Sequence, residues 1–128
     1  MDKSAYDKYV SDALKVIEEH ERASGEARGL RPAIGYLRAS PGASAGMDAL
    51  VDEAEREGFY VTEWVVDEGV SGSVSPWDRP GLAPWLGDNP PREFQALVFR
   101  IKSLVRMTNH MVEIREWADR TGRLLIGI

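Results

Sequence analysis

Two short apolar runs flanking a helical stripe constrain this chain more than any other feature. Ala33-Ile34-Gly35-Tyr36-Leu37 is brief, apolar and preceded by Pro32, which reads as a buried strand. Met47, Leu50, Val51 and Ala54 then recur at helical spacing until Gly58 stops the pattern. Phe59 to Val66, rich in β-branched and aromatic residues, reads as a second strand. Strand, helix, strand in this order is a βαβ unit, because two parallel strands need a crossover long enough to return the chain. A third strand follows over Phe94 to Ile101. A long helix carries Leu104, Met107, Met111, Ile114 and Ala118 on one face and stops at Thr121-Gly122. A fourth strand runs over Arg123 to Ile128. The fold class is therefore α/β, with a parallel sheet.

Two segments stand outside that alternation. Residues 1–31 read as an N-terminal helical extension, with Tyr6, Tyr9, Val10, Ala13, Leu14 and Ile17 on one face. It is expected either to pack on the domain formed by residues 32–128 or to bind a partner. Asp67 to Gly81 reads as an irregular loop, and Leu82 to Leu86 as a short helix. A connection that long inside one domain is uncommon and often functional.

Composition narrows the function. With 128 residues, 43% of them hydrophobic, the chain holds one core. No apolar run is long enough to span a membrane, and the absence of cysteine excludes disulfides and thiolate chemistry and points to the cytoplasm. Acidic residues outnumber basic ones 21 to 16, for a net charge of −5. A module that held duplex DNA by itself would be basic, because phosphate neutralisation dominates such affinity, so DNA binding in isolation is expected to be weak. His20 and His110 lie far apart and no ligand spacing surrounds them, so no metal site is expected.

In a parallel sheet, ligands bind beyond the C-terminal strand ends. Arg38 and Ser40 follow the first strand. Asp67 opens the loop after the second, with Ser71 inside it. Arg100, Lys102, Ser103 and Arg106 follow the third, the last two expected on the first turn of the long helix. One hydroxyl, several cations and a helix N-terminus suit a phosphate, which an arginine fork grips through two oxygens. Arg79 reads either as a loop-anchoring ion pair or as a further phosphate contact. The plainer alternative is a set of solvated charges and loop serines. Neither a P-loop nor a dinucleotide-binding glycine pattern is present.

Ile34-Gly35-Tyr36-Leu37-Arg38-Ala39-Ser40 resembles the opening motif of the serine recombinases (resolvases, invertases and large phage integrases). Asp67-Glu68-Gly69-Val70-Ser71-Gly72-Ser73 resembles their second motif, and Arg79-Pro80-Gly81-Leu82 the stretch that follows it in the large enzymes. Ala96 to Arg106 falls where they carry a strand and an Asp-Arg-Leu-x-Arg motif, and Glu113 to Ile126 is similar to their closing helix and strand. The resemblance covers roughly Pro32 to Ile128. It implies a resolvase-like three-layer catalytic domain, its mostly parallel central sheet flanked by helices, that cleaves and rejoins DNA for site-specific recombination through a 5′-phosphoserine link, without metal or cofactor. Ser40 would be the nucleophile, Arg38 and Arg106 the clamps, and Asp67 the residue ordering the loop. Arg100, Lys102, Ser103, Arg79 and Ser71 are the further candidates for phosphate or DNA contact.

The resemblance also implies a departure. Lys102 and Ser103 stand where the family has Asp-Arg, so activity is expected to be weakened or lost. The dimerisation helix and DNA-binding domains that follow in the family are expected to be missing from this chain, and a homo-oligomer belongs to the full-length context. A catalytically inactive, recombinase-derived protein-interaction domain is the alternative. A flavodoxin-like binder of a phosphate-containing metabolite is a third reading.

Overall fold

The computed structural model describes residues 28–39, 47–104 and 106–128. The N-terminal extension through residue 27 and the serine candidate Ser40 lie outside the described residues. In chain order the elements are β1 (Arg31–Ala39), α1 (Met47–Arg56), β2 (Phe59–Glu68), α2 (Ala83–Leu86), β3 (Ala96–Phe99), α3 (Ile101–Leu104), α4 (Thr108–Thr121) and β4 (Leu124–Gly127). A short 3₁₀ turn, Pro76–Asp78, interrupts the loop between β2 and α2. The strands form one sheet in the order β2-β1-β3-β4, every neighbouring pair parallel. The α/β expectation holds, and all four C-terminal strand ends share one rim.

Strand alternation divides the core in two. Ala33 and Leu37 of β1, Ala96 and Val98 of β3 and Ile126 of β4 face α1, which contributes Leu50 and Ala54. Ile34 and Tyr36 of β1 and Leu97 and Phe99 of β3 face the other layer, built by Leu82, Trp85 and Leu86 around α2, Leu104 of α3, and Ile114, Trp117 and Ala118 of α4. Each large apolar side chain buried there contributes about 1.5–3 kcal/mol. Trp85 meets Phe94 edge-on at 5.7 Å, and Phe94 stacks on Trp117 at 6.2 Å, so these two tryptophans serve the core. Gly122 caps α4 in the left-handed conformation, φ 70°, as the Thr121-Gly122 stop requires.

One irregularity in the sheet matters for the site. Ala33 pairs with Val61, but Ile34 pairs with Glu63, so Thr62 is an extra residue on β2. Its hydroxyl donates to the Ala33 carbonyl at 3.2 Å and pins the bulge. Val61 and Val65 have the same sequence parity, yet Val61 belongs to the α1 layer and Val65 to the opposite one.

The expected single helix after β3 is instead two. The backbone leaves the helical region at Met107 (φ −96°, ψ 131°), which ends the segment after α3 and starts α4. Leu104 and Ile114 are both fully buried in one layer, so the apolar spacing stays in phase across the break and conceals it. Met107, expected on the apolar face, is exposed, whereas Met111 packs on the core. Ser103 therefore lies on α3, and Arg106 lies between the helices rather than on the first turn of a long one. Among the described residues no helix is long and apolar enough to cross a membrane.

Candidate functional site

The site begins with a buried phenol. Tyr36 points into the core layer from β1 and is fully buried. Its hydroxyl donates to Asp67 Oδ2 at 3.0 Å and accepts from Arg79 Nη1 at 3.3 Å. Burial pushes its pKa up to about 12, partly offset by the Arg79 guanidinium, so the phenol stays neutral. Asp67, at the end of β2 and paired in register with Arg38, is buried. Its carboxylate also accepts the backbone N–H of Leu82 at 3.1 Å and that of Gly81 at 2.5 Å. The far end of the irregular loop is thereby tied back to the strand from which it left.

Arg79 occupies the interior rather than the rim. Its side chain has no solvent exposure. Nε donates to the Val74 carbonyl (3.1 Å), Nη2 to the Gly72 carbonyl (3.2 Å), and Nη1 to the Ser103 carbonyl (3.0 Å) as well as to Tyr36. A buried guanidinium is tolerable only when its donors are satisfied, and here oxygens of the loop, of α3 and of β1 satisfy them. Both expectations for Arg79 are corrected: the fork is turned inward, away from any phosphate at the rim, and it anchors the loop through the protein's own carbonyls rather than through an ion pair.

The other two arginines reach the same loop from outside. Arg38, half-buried at the C-terminal end of β1, donates from Nε to the Ser103 carbonyl at 3.3 Å and from Nη1 to the Val70 carbonyl at 3.2 Å. Arg106 lays its stem across Gly72: a Cβ built on that glycine would stand 2.9 Å from Arg106 Nε and 3.0 Å from Cγ and Cδ. Arg38 and Arg106, 68 positions apart in the chain, thus both meet the stretch from Val70 to Gly72. Ser40 follows β1 by one residue and lies outside the described residues.

The remaining candidates are distributed differently. Arg100, Lys102 and Ser103 line, with Ile101 and Ile128, an open hollow of about 460 Å³. Arg100 and Lys102 are exposed, while Ser103 contributes its backbone carbonyl inward to both Arg38 and Arg79. Ser71 is exposed, and its hydroxyl pairs with that of Ser73 at 2.9 Å. Tyr36, Gly72 and the Ser103 carbonyl were not singled out by spacing or charge. Tyr36 carried a usable signal, since a phenol at an inward-facing strand position needs a polar partner. A carbonyl leaves no trace in a sequence.

Comparison with known proteins bears on the fold and the family. No curated protein matches the chain. The crystal structure of the N-terminal catalytic domain of TP901-1 integrase superposes with a TM-score of 0.60 at 23% identity, covering 76% of each chain. At that identity the likeness concerns the fold. The family model for the resolvase N-terminal domain matches residues 33–127, from the third residue of β1 to the last of β4. With 95 of its 128 residues matched, this chain belongs to the family of resolvase N-terminal domains.

Proposed function

We propose that the domain takes a DNA phosphodiester at the C-terminal rim of its sheet and cleaves it through Ser40, as one step of recombination, at a rate well below that of a complete site. The observation that carries this reading is the convergence of Arg38 and Arg106 on the segment from Val70 to Gly72. Ser40 follows Arg38 closely in the chain. Family membership and the shared fold with an integrase catalytic domain support the reading.

In this reading the Ser40 oxygen attacks phosphorus, the bond to the 3′ oxygen breaks, and a 5′-phosphoserine and a free 3′-hydroxyl result. A serine hydroxyl is a weak nucleophile at neutral pH, so charge accumulating on the phosphoryl oxygens must be met by preplaced cations. Arg38 and Arg106 are the cations proposed for that role. The attenuation follows from Lys102 and Ser103. Lysine at the first position supplies a point charge without a fork, and serine at the second supplies no charge. Removing one charge-stabilising group from a transition state costs about 3–4 kcal/mol, a factor of a hundred or more. With a net charge of −5, the domain is expected to depend on attached DNA-binding domains and on self-association in a longer protein to hold its substrate.

The test joins the full chain to a DNA-binding domain and presents a nicked suicide duplex carrying that domain's site. The expected result is a slowly formed covalent protein–DNA product that Ser40→Ala abolishes. No product, or a product unchanged in Ser40→Ala, overturns the proposal and favours a non-catalytic interaction domain on the same fold.

A further inference from the structure

We infer that Arg79 is the positioning residue of this site: one buried guanidinium sets where both outer arginines stand. The inference rests on the reading of Arg38 and Arg106 as phosphate clamps and adds what holds them. Arg79 cannot reach a ligand itself, because it is fully buried. Its contacts, however, lead to each clamp by a separate route. Toward Arg38 the route is the Ser103 carbonyl, which accepts from Arg79 Nη1 at 3.0 Å and from Arg38 Nε at 3.3 Å. Two guanidinium groups on one oxygen fix their mutual spacing, provided that oxygen stays put. Toward Arg106 the route is Gly72, whose carbonyl accepts from Arg79 Nη2 at 3.2 Å and whose bare Cα bears the Arg106 stem. Nε on the Val74 carbonyl and Nη1 on the Tyr36 hydroxyl then lock Arg79 to the loop and the sheet.

The planar fork is essential to this arrangement. It aims donors at the Gly72 and Val74 carbonyls of the loop and at the Ser103 carbonyl of α3 in one rigid plane. Lysine keeps the charge but gathers its donors on a single atom and cannot bridge the three. Arg79→Lys therefore separates position from charge. Gly72→Ala acts on one branch only: its methyl displaces the Arg106 stem and leaves the Ser103 carbonyl untouched.

The test uses the full chain and the Nε–Hε NMR signals of Arg38 and Arg106, assigned with Arg→Lys variants and titrated with inorganic phosphate. In the parent protein both signals are expected to shift with phosphate, and the Arg38 Hε is expected to exchange slowly with solvent. In Arg79→Lys, with backbone amide signals of the sheet unchanged, both phosphate responses and the Arg38 exchange protection are expected to vanish, with affinity down at least tenfold. Gly72→Ala is expected to move the Arg106 signal alone. Arg79→Lys that folds, keeps both responses and binds phosphate within twofold of the parent overturns the inference. If the parent shows no phosphate response, the clamp reading fails. The positioning claim is then decided by Arg38 Hε protection, whose survival in Arg79→Lys overturns it and whose loss supports it. Should Arg79→Lys not fold, Arg79→Gln is read in its place: loss of the Arg38 Hε protection supports the inference, and its survival overturns it.

Discussion

Asp67→Ala tests the tie between the loop and the sheet most directly. Asp67 is 3% exposed, and its carboxylate accepts from the Tyr36 hydroxyl and the backbone N–H groups of Gly81 and Leu82. A hydrogen bond to a charged group is worth about 1.5–3 kcal/mol, and each buried donor left without an acceptor costs about 1–3 kcal/mol. The three bonds share one side chain, so these figures do not add. Gly81 is half-buried and water can reach its N–H, whereas Leu82 and Tyr36 are fully buried and remain unsatisfied. The expected loss is about 4 kcal/mol, a large part of the roughly 5–15 kcal/mol that holds a domain together. Asp67→Asn keeps the shape but turns an amide N–H₂ toward at least one donor, and its expected loss is about 2 kcal/mol. Urea unfolding followed by circular dichroism reads both. With a slope of about 2 kcal/mol per molar, the midpoint falls by ~2 M for Asp67→Ala and ~1 M for Asp67→Asn. A midpoint for Asp67→Ala within half of that smaller shift refutes the account of Asp67 as the loop's anchor.

Three further outcomes are expected. Tyr36 ionises near 12 in the folded chain and near 10 when unfolded, so folded protein retains a proton that unfolded protein loses, and stability falls as pH rises from about 10 through 12. Ultraviolet titration at the phenolate band should show one of the four tyrosines ionising late, and Tyr36→Phe should remove that step. Gly35→Ala places a methyl 2.4 Å from the Trp64 ring, an overpacking expected to cost about 1–3 kcal/mol and to shift tryptophan fluorescence; an unchanged midpoint and spectrum would contradict the close approach. Restoring the family's pair with Lys102→Asp and Ser103→Arg together should raise covalent product formation about a hundredfold in the suicide assay, and no gain would locate the attenuation elsewhere.

Much of the fold was legible because its period was legible. Strand runs at Ala33 to Leu37 and Phe59 to Val66 and the stripe from Met47 to Ala54 each match an element, since burial on both faces of a parallel strand leaves an apolar run. The break at Met107 was not legible, because Leu104 and Ile114 keep a common phase across it. The site was legible as a set of charges but not as an arrangement. Arg38 and Arg106 both reach the loop that Asp67 opens, one at the Val70 carbonyl and the other at Gly72. Arg79, by charge alone an equal candidate for the rim, turns inward because the loop's own carbonyls supply what a phosphate would have.

The bulge at Thr62 carries a consequence for how this strand tolerates change in length. A ladder has two phases, and the bulge moves β2 from one to the other between Val61 and Glu63. If Thr62 joined the ladder, Val66 would stand opposite Arg38, and Asp67 would look toward α1. Deleting Thr62 is therefore the harmless edit: the ladder becomes regular and everything after it keeps its side. One residue added between Glu63 and Asp67 inverts the remainder, sending the carboxylate to the wrong layer while leaving composition and hydropathy almost untouched. Like a reading frame, the strand is governed past that point by whether the count is odd or even.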